Sequence, residues 1–240
     1  MKKTLFALLA VAALSFGVGL ASAQDDKPAE KARTPKEAPA ETPKDAEKPR
    51  EAEKPATEEK GPDFATIDKK APEFTLKDAN GKDHKLSDYV GKIVVLEWIN
   101  YDCPQVKKHY REGTENMQAL QKEVRDAGGV WLSVCSSAKG KQGNFEGEAL
   151  LARIKKEKAE AGFYLVDDAG KVCRAYKAMT TPHMYVIDAK GVLRYQGALD
   201  TAARTRKKDE ILAAKNHVRE AFKALRDGKD VATTETRPYG

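Results

Sequence analysis

Three cysteines, Cys103, Cys135 and Cys173, are all this chain has. The number is odd, so at least one thiol is unpaired within the chain and a structural framework of bridges is excluded. Val106, not a cysteine, stands three residues after Cys103, so no two thiols share that turn. No cysteine follows the N-terminal apolar run, which excludes lipoprotein anchoring at that place. Beyond that run no stretch is long and apolar enough to span a bilayer. Charge of one sign is scarce as well. The formal net charge is +6, and loss of Lys2 and Lys3 with a leader would leave about +4, weak ground for an anionic partner. Arg204, Arg206, Lys207 and Lys208 form the only dense basic run and read as a solvated helix start, so no nucleic acid is expected. Cys103, His109 and His183 do not fall at a recognisable zinc or copper spacing; no metal and no cofactor is expected.

What is present begins with a leader. Lys2 and Lys3, an apolar run from Leu5 to Leu20, and the small-x-small sequence Ala21-Ser22-Ala23 read as a signal peptide over residues 1–23. An uncleaved anchor is the lesser alternative, since the run is short for a span of about 20 residues. The expected mature chain starts at Gln24, is exported to the periplasm or cell envelope, and keeps no integral membrane span. Residues 24–61 are Pro, Ala, Glu, Lys and Thr with almost no large apolar side chain. Such a segment cannot bury a core and reads as a disordered spacer, either a tether or a tolerated linker. Residues 62–229 have the size of one folded domain, and 230–240 read as a C-terminal tail.

Within the domain, Phe74-Thr75-Leu76, Asn80-Gly81 and Lys85-Leu86 predict a β-hairpin around a tight turn. Ile93 to Ile99 is apolar except at Glu97, the pattern of a strand buried on both faces. Asp102 is placed to cap a helix that Pro104 starts, and Met117, Leu120 and Val124 continue at helical spacing to Gly128-Gly129. Val130 to Val134 is a second buried strand, so a right-handed crossover between parallel neighbours is expected. A charged helix over 149–161, a strand over 163–166 and a short helix over 172–178 follow. Met184 to Asp188 and Val192 to Tyr195 predict an antiparallel hairpin, and 209–225 one amphipathic helix. The order gives an α/β fold: a central mixed sheet flanked by helices, preceded by a hairpin.

Cys103, between a buried strand and a Pro-started helix, is the residue at which chemistry is expected. The first N–H groups of a helix favour a thiolate. The competing reading is a small buried hydrophobe. Glu97 is either a buried acid with a function or the member of a salt bridge at the strand's end. Cys135 ends the neighbouring strand and is the first candidate for a resolving partner, with Cys173 second; inert core cysteines are the alternative for both. Lys107, Lys108 and His109 are each expected to face solvent.

VVLEWINYDC before a helix, and TTPHMYVIDAKGVLRYQGALD before a terminal helix, resemble the thioredoxin fold. With APEFTLKDANGKDHKLSDYVGK as the leading hairpin, the chain from about Ala71 to Leu225 is similar to the peroxiredoxin-like branch of the alkyl hydroperoxide reductase and thiol-specific antioxidant (redoxin) family. The resemblance implies that Cys103 is the redox nucleophile. It also implies that Pro182 is a cis-proline facing the sulfur, and that Glu97 is a buried acid that helps move protons. Thr181 and His183, which flank Pro182, would contact substrate. Three departures count against a complete set. Val106 replaces the second thioredoxin cysteine, and Leu96 and Asn100 replace the Pro and Thr that precede a peroxidatic cysteine. The family's active-site arginine aligns on Pro182. Thr236-Arg237-Pro238-Tyr239-Gly240 is similar to a segment that runs on into a cysteine in such chains; none follows here, and a sequence continuing past Gly240 is the expectation that goes with the likeness.

The function this implies is an exported thiol oxidoreductase with antioxidant, peroxiredoxin-like activity. Cys103 would reduce a hydroperoxide or exchange with a protein disulfide, and an external thiol reductant would regenerate it. The rival is a non-catalytic thioredoxin-fold binding module, tethered in the cell envelope, that holds a partner along the groove beside Pro182.

Overall fold

The computed structural model describes residues 64–240; the expected signal peptide and spacer lie outside the described residues. A hairpin opens the domain, β1 (Thr75–Asp78) and β2 (Asp83–Lys85). Its turn is held by the Asp78 carboxylate, which accepts from the backbone N–H groups of Asn80 at 2.8 Å and Lys82 at 3.0 Å. Then come β3 (Val94–Trp98), α1 (Pro104–Tyr110), α2 (Asn116–Asp126), β4 (Val130–Cys135) and α3 (Gly147–Lys156). The chain continues through β5 (Phe163–Val166), α4 (Lys171–Tyr176), β6 (His183–Ile187), β7 (Leu193–Gly197), α5 (Lys208–Leu212) and α6 (His217–Arg226).

The seven strands form one mixed sheet in the order β2-β1-β5-β4-β3-β6-β7. Strands β3, β4 and β5 run parallel, and β6 pairs antiparallel with β3, Trp98 opposite His183. Strand β3 is buried throughout because both of its faces carry helix or loop. Val95 and Ile99 join Val106, Met117, Leu120, Val124, Val218 and Phe222 on one face; Val94, Leu96 and Trp98 join Leu132, Val134, Tyr176 and Tyr185 on the other. A fully buried Val or Leu contributes roughly 1.5–3 kcal/mol, which fixes the strand's register against slippage to the wrong face. Among the described residues no helix is long and apolar enough to cross a membrane.

One expectation is corrected. The single terminal helix over 209–225 is two helices, because Asn216 interrupts it: its side chain accepts from the Arg219 N–H at 2.8 Å and caps α6. Residues 230–240, the expected C-terminal tail, pack on the sheet. They return along β7, where the Gln196 N–H donates to Thr234 O at 3.0 Å and the Thr236 N–H to Gln196 O at 3.1 Å, giving a parallel bridge at Glu235.

Candidate active site

Parallel strands deliver their carboxyl ends to one edge of the sheet, the usual place for an α/β site. Here β3 leads to Cys103, β4 ends in Cys135, β5 leads to α4 and Cys173, and β6 begins just after Pro182. Cys103 occupies the N-cap position of α1 with an extended backbone. Its thiol is partly exposed and donates to the Thr181 carbonyl at 3.1 Å. The Thr181–Pro182 peptide bond is cis, so Cys103, Thr181 and Pro182 meet in one place. No imidazole or carboxylate among the described residues is hydrogen-bonded to the sulfur.

The loop that presents Cys103 is held from two sides. Asn100 accepts at its Oδ1 from the Asp102 N–H at 2.8 Å and at its carbonyl from the Cys103 N–H at 2.9 Å. The Asn100 amide donates to Gln142 O at 3.2 Å. Gly143 lies flat on that amide; its φ is +85°, and a Cβ there would overlap the Asn100 side chain, so only glycine suits the approach. Arg153 of α3 supplies the second clamp, donating to Asp102 Oδ1 at 2.9 Å and to Tyr101 O at 2.8 Å, with Glu157 Oε1 at 2.7 Å orienting it. Its guanidinium rests over Tyr101 and Phe145. Burial opposes the charge of Arg153, yet its hydrogen bonds to Glu157 and Asp102 leave its pKa above the ordinary value. Asp102 therefore faces Arg153 and gives no side-chain cap to α1, a correction to its expected role. Arg153 was missed in the sequence: its only local signal is an Arg153–Glu157 pair at i,i+4 spacing, which reads as ordinary helix surface.

Glu97 is wholly buried and makes no ion pair among the described residues, so the salt-bridge alternative is corrected. The Tyr110 hydroxyl lies 3.1 Å from Oε1 and 3.0 Å from Oε2. Oε2 also accepts from Gln121 Nε2 at 3.1 Å, Trp131 Nε1 at 2.9 Å and Ser133 Oγ at 2.9 Å. Burial raises the pKa against these four donors. None of these bonds reaches Cys103; they tie β3 and β4 to Tyr110, the last residue of the helix that Cys103 begins.

The three thiols are free and differently housed. Cys135 is buried on the α1 side of the sheet, 3.5 Å from Gly143 O. Cys173 is partly buried on the opposite side, 3.5 Å from Ala178 O, and its N–H donates to Asp167 Oδ2 at 2.9 Å. Burial pushes the Cys173 thiol up, against hydrogen bonding by Ser136 and Trp98. His183 also turns to that opposite side, its ring 4.6 Å from that of Tyr185. His183 Nδ1 accepts from the Met179 N–H at 3.4 Å, and burial lowers its pKa to about 4.

Lys108 and His109 are buried, contrary to the expectation that they face solvent. Lys108 donates to Ala202 O at 2.6 Å, with Ala203 O at 3.4 Å and Thr205 O at 3.5 Å. Burial lowers its pKa, while Asp200 and a thiolate at Cys103 favour its charged form. His109 Nε2 stands 3.1 Å from the Tyr239 hydroxyl, which donates to Asp200 Oδ1. Burial lowers His109 to about 4 against the attraction of Asp200.

A family model described as the AhpC/TSA family matches residues 67–196. No curated protein matches the chain. Among solved structures, a hypothetical protein from Sinorhizobium meliloti 1021 is 22% identical with a TM-score of 0.59; the alignment covers 74% of this chain and 93% of that one. An uncharacterized conserved protein from Geobacillus kaustophilus is 21% identical with a TM-score of 0.60, over 73% of this chain and 90% of that one. At these identities the two structures speak to the fold alone. With the family match spanning more than half of the sequence and a mixed sheet that brings one cysteine against a cis-proline, the chain belongs to the AhpC/TSA family, a redoxin of thioredoxin-like fold and, at that general level, an oxidoreductase.

Proposed function

We propose that the protein is an exported thiol peroxidase in which Cys103 is the redox nucleophile. The observation that carries this reading is the partly exposed Cys103 thiol, 3.1 Å from the carbonyl that precedes cis-Pro182 and bonded to no other thiol. The Cys103 thiolate, its proton released to solvent, attacks the terminal oxygen of a hydroperoxide; the O–O bond breaks, leaving a sulfenic acid at Cys103 and an alkoxide that takes a proton from water and departs as an alcohol. An external thiol condenses with the sulfenic acid, releasing water and leaving a mixed disulfide. A second external thiol attacks that disulfide, restoring Cys103 and releasing the oxidised reductant. Glu97 serves as a positioning residue: its bonds to Tyr110 fix the far end of α1. Arg153 and Asn100 hold the near end. Support for export comes from the leader-like residues 1–23, with their two lysines, apolar run and Ala21-Ser22-Ala23 site.

The test is mass spectrometry of the reduced protein exposed to hydrogen peroxide in the presence of a sulfenic-acid trap. Trapped adduct at Cys103, absent in Cys103→Ser, is expected. An unmodified Cys103 at peroxide levels that oxidise a known peroxiredoxin overturns the peroxidase reading. Should Cys103 instead be caught in a mixed disulfide with an oxidised protein, disulfide exchange replaces it.

A further inference from the structure

Residues 234–240 run from the edge of β7 to Thr180 and Thr181, beside the Cys103 site. Thr236 is held at three points: its N–H on Gln196 O at 3.1 Å, its Oγ1 2.6 Å from the Tyr195 hydroxyl, and the same Oγ1 accepting from the Ala198 N–H at 2.9 Å. Tyr239 fills the next position. Its hydroxyl bonds to Asp200 and His109, and the Lys108 ammonium sits 4.6 Å from its ring centroid. These contacts bring Gly240 onto the Thr180 side chain and the Thr181 backbone so tightly that a Cβ on Gly240 would overlap Thr180 Oγ1 and Thr181 O. The Thr181 carbonyl is the one that receives the Cys103 thiol.

From this geometry we infer that the 234–240 segment is a selectivity strap over the Cys103 site, which admits small hydroperoxides and excludes protein disulfides. The inference rests on the reading of Cys103 as the redox nucleophile. A small hydroperoxide needs only a line of approach to the sulfur. A protein disulfide carries backbone on both sides of its sulfurs, and that backbone requires the surface beside Thr180 and Thr181 that Gly240 covers, with Tyr239 anchoring Gly240 there. A protein substrate reacts only with the fraction of molecules whose strap is lifted, and its apparent rate falls by that fraction. The strap is fastened to polar groups that are otherwise buried, Asp200, His109 and Lys108, so lifting it also exposes them to water.

The experiment compares two rates at Cys103 in the full-length protein and in Tyr239→Ala: sulfenic acid formation with hydrogen peroxide, and mixed-disulfide formation with a peptide carrying a 2-pyridyl disulfide. Tyr239→Ala removes two hydrogen bonds and the ring, so the peptide rate is expected to rise about tenfold or more, while the peroxide rate stays within about twofold. Tyr239→Phe, which keeps the ring, is expected to fall between the two and stands in if Tyr239→Ala does not fold. Equal acceleration of both rates would mean general loosening of the site and would overturn the inference, as would an unchanged peptide rate. If no sulfenic acid forms in either protein, the peroxidase reading fails; if it forms and the ratio of rates does not move, only the strap fails.

Discussion

Replacement of Glu97 tests how far a buried carboxylate holds this domain together. Its side chain accepts from Tyr110, Gln121, Trp131 and Ser133, with no water-accessible surface. In Glu97→Ala, Gln121 and Tyr110 keep each other, since the Gln121 amide already donates to the Tyr110 hydroxyl at 2.6 Å. The Trp131 N–H, the Ser133 O–H and the Tyr110 O–H lose their acceptor. At about 1–3 kcal/mol for each orphaned donor, the loss is roughly 3–9 kcal/mol, a large part of the 5–15 kcal/mol that holds a domain of about this size. Glu97→Gln is milder. Its carbonyl oxygen can take the place of Oε2, which lies within reach of all four donors, so the stranded group is its own amide N–H at the former Oε1 position, at about 1–3 kcal/mol. The two variants also differ in pH behaviour. Burial raises the Glu97 pKa above 4.5, so above that pH the folded state binds more protons than the unfolded one and this group's contribution falls as pH rises. Glutamine does not titrate. The gap between wild type and Glu97→Gln is therefore expected to be widest at pH 4.5 and below and to narrow as pH rises above it. Urea unfolding followed by the fluorescence of Trp98 and Trp131, both buried, measures it. A gap that is constant or widens with pH, or a Glu97→Ala protein within about 1 kcal/mol of wild type, would refute the reasoning.

Two buried histidines act in the opposite direction to Glu97, and acid should weaken the fold through them. His109 and His183 each fall from 6.5 to about 4 on burial, so the unfolded chain binds more protons between those values. The stability present above pH 6.5 is then lost as pH falls to 4, by roughly 3 kcal/mol for each ring; a denaturation midpoint that does not drop between pH 7 and pH 4.5 contradicts this. Arg153→Ala frees Asp102 and the Tyr101 carbonyl next to Cys103, and the expected outcome is a drop of several-fold in the peroxide rate with the fold retained by circular dichroism. Arg153→Lys should restore only part of that rate, because a lysine lacks the planar fork that spans both acceptors. Asn216→Ala removes the cap of α6 and should lower stability by about 1 kcal/mol, read as a shift in the urea midpoint.

The framework was legible because it is written in local terms. An apolar run with one acid, the Asn80-Gly81 turn and the Pro104 helix start each constrain only a few neighbouring residues, and they delivered the mixed α/β sheet; the meeting of Cys103 with Pro182 came from the resemblance to the redoxin family. Lys108 and His109 could not be read correctly, since nothing beside them in the sequence is apolar enough to bury them. What covers His109 is Tyr239, 130 positions away. Arg153 was hidden for the same reason: its partners Asp102 and Tyr101 lie about fifty residues earlier. Asp102 had the right residue type for a cap, but a nearby guanidinium is the stronger attraction. The break at Asn216 was the one local signal passed over, because the apolar spacing on both sides of it suggested a single helix.

The return of the chain along β7 also bears on the sheet's two borders. An open border is a row of unpaired N–H and C=O groups that can recruit a strand from another molecule. On one side the border strand is β2, three residues long with Asp83 and Lys85 at its two ends, too short and too charged to invite company. On the other side β7 has no such protection of its own, and the ladder between Gln196 and residues 234–236 supplies it. Conditions that peel this segment away should therefore promote self-association, with light scattering rising in step with the loss of amide protection at Gln196.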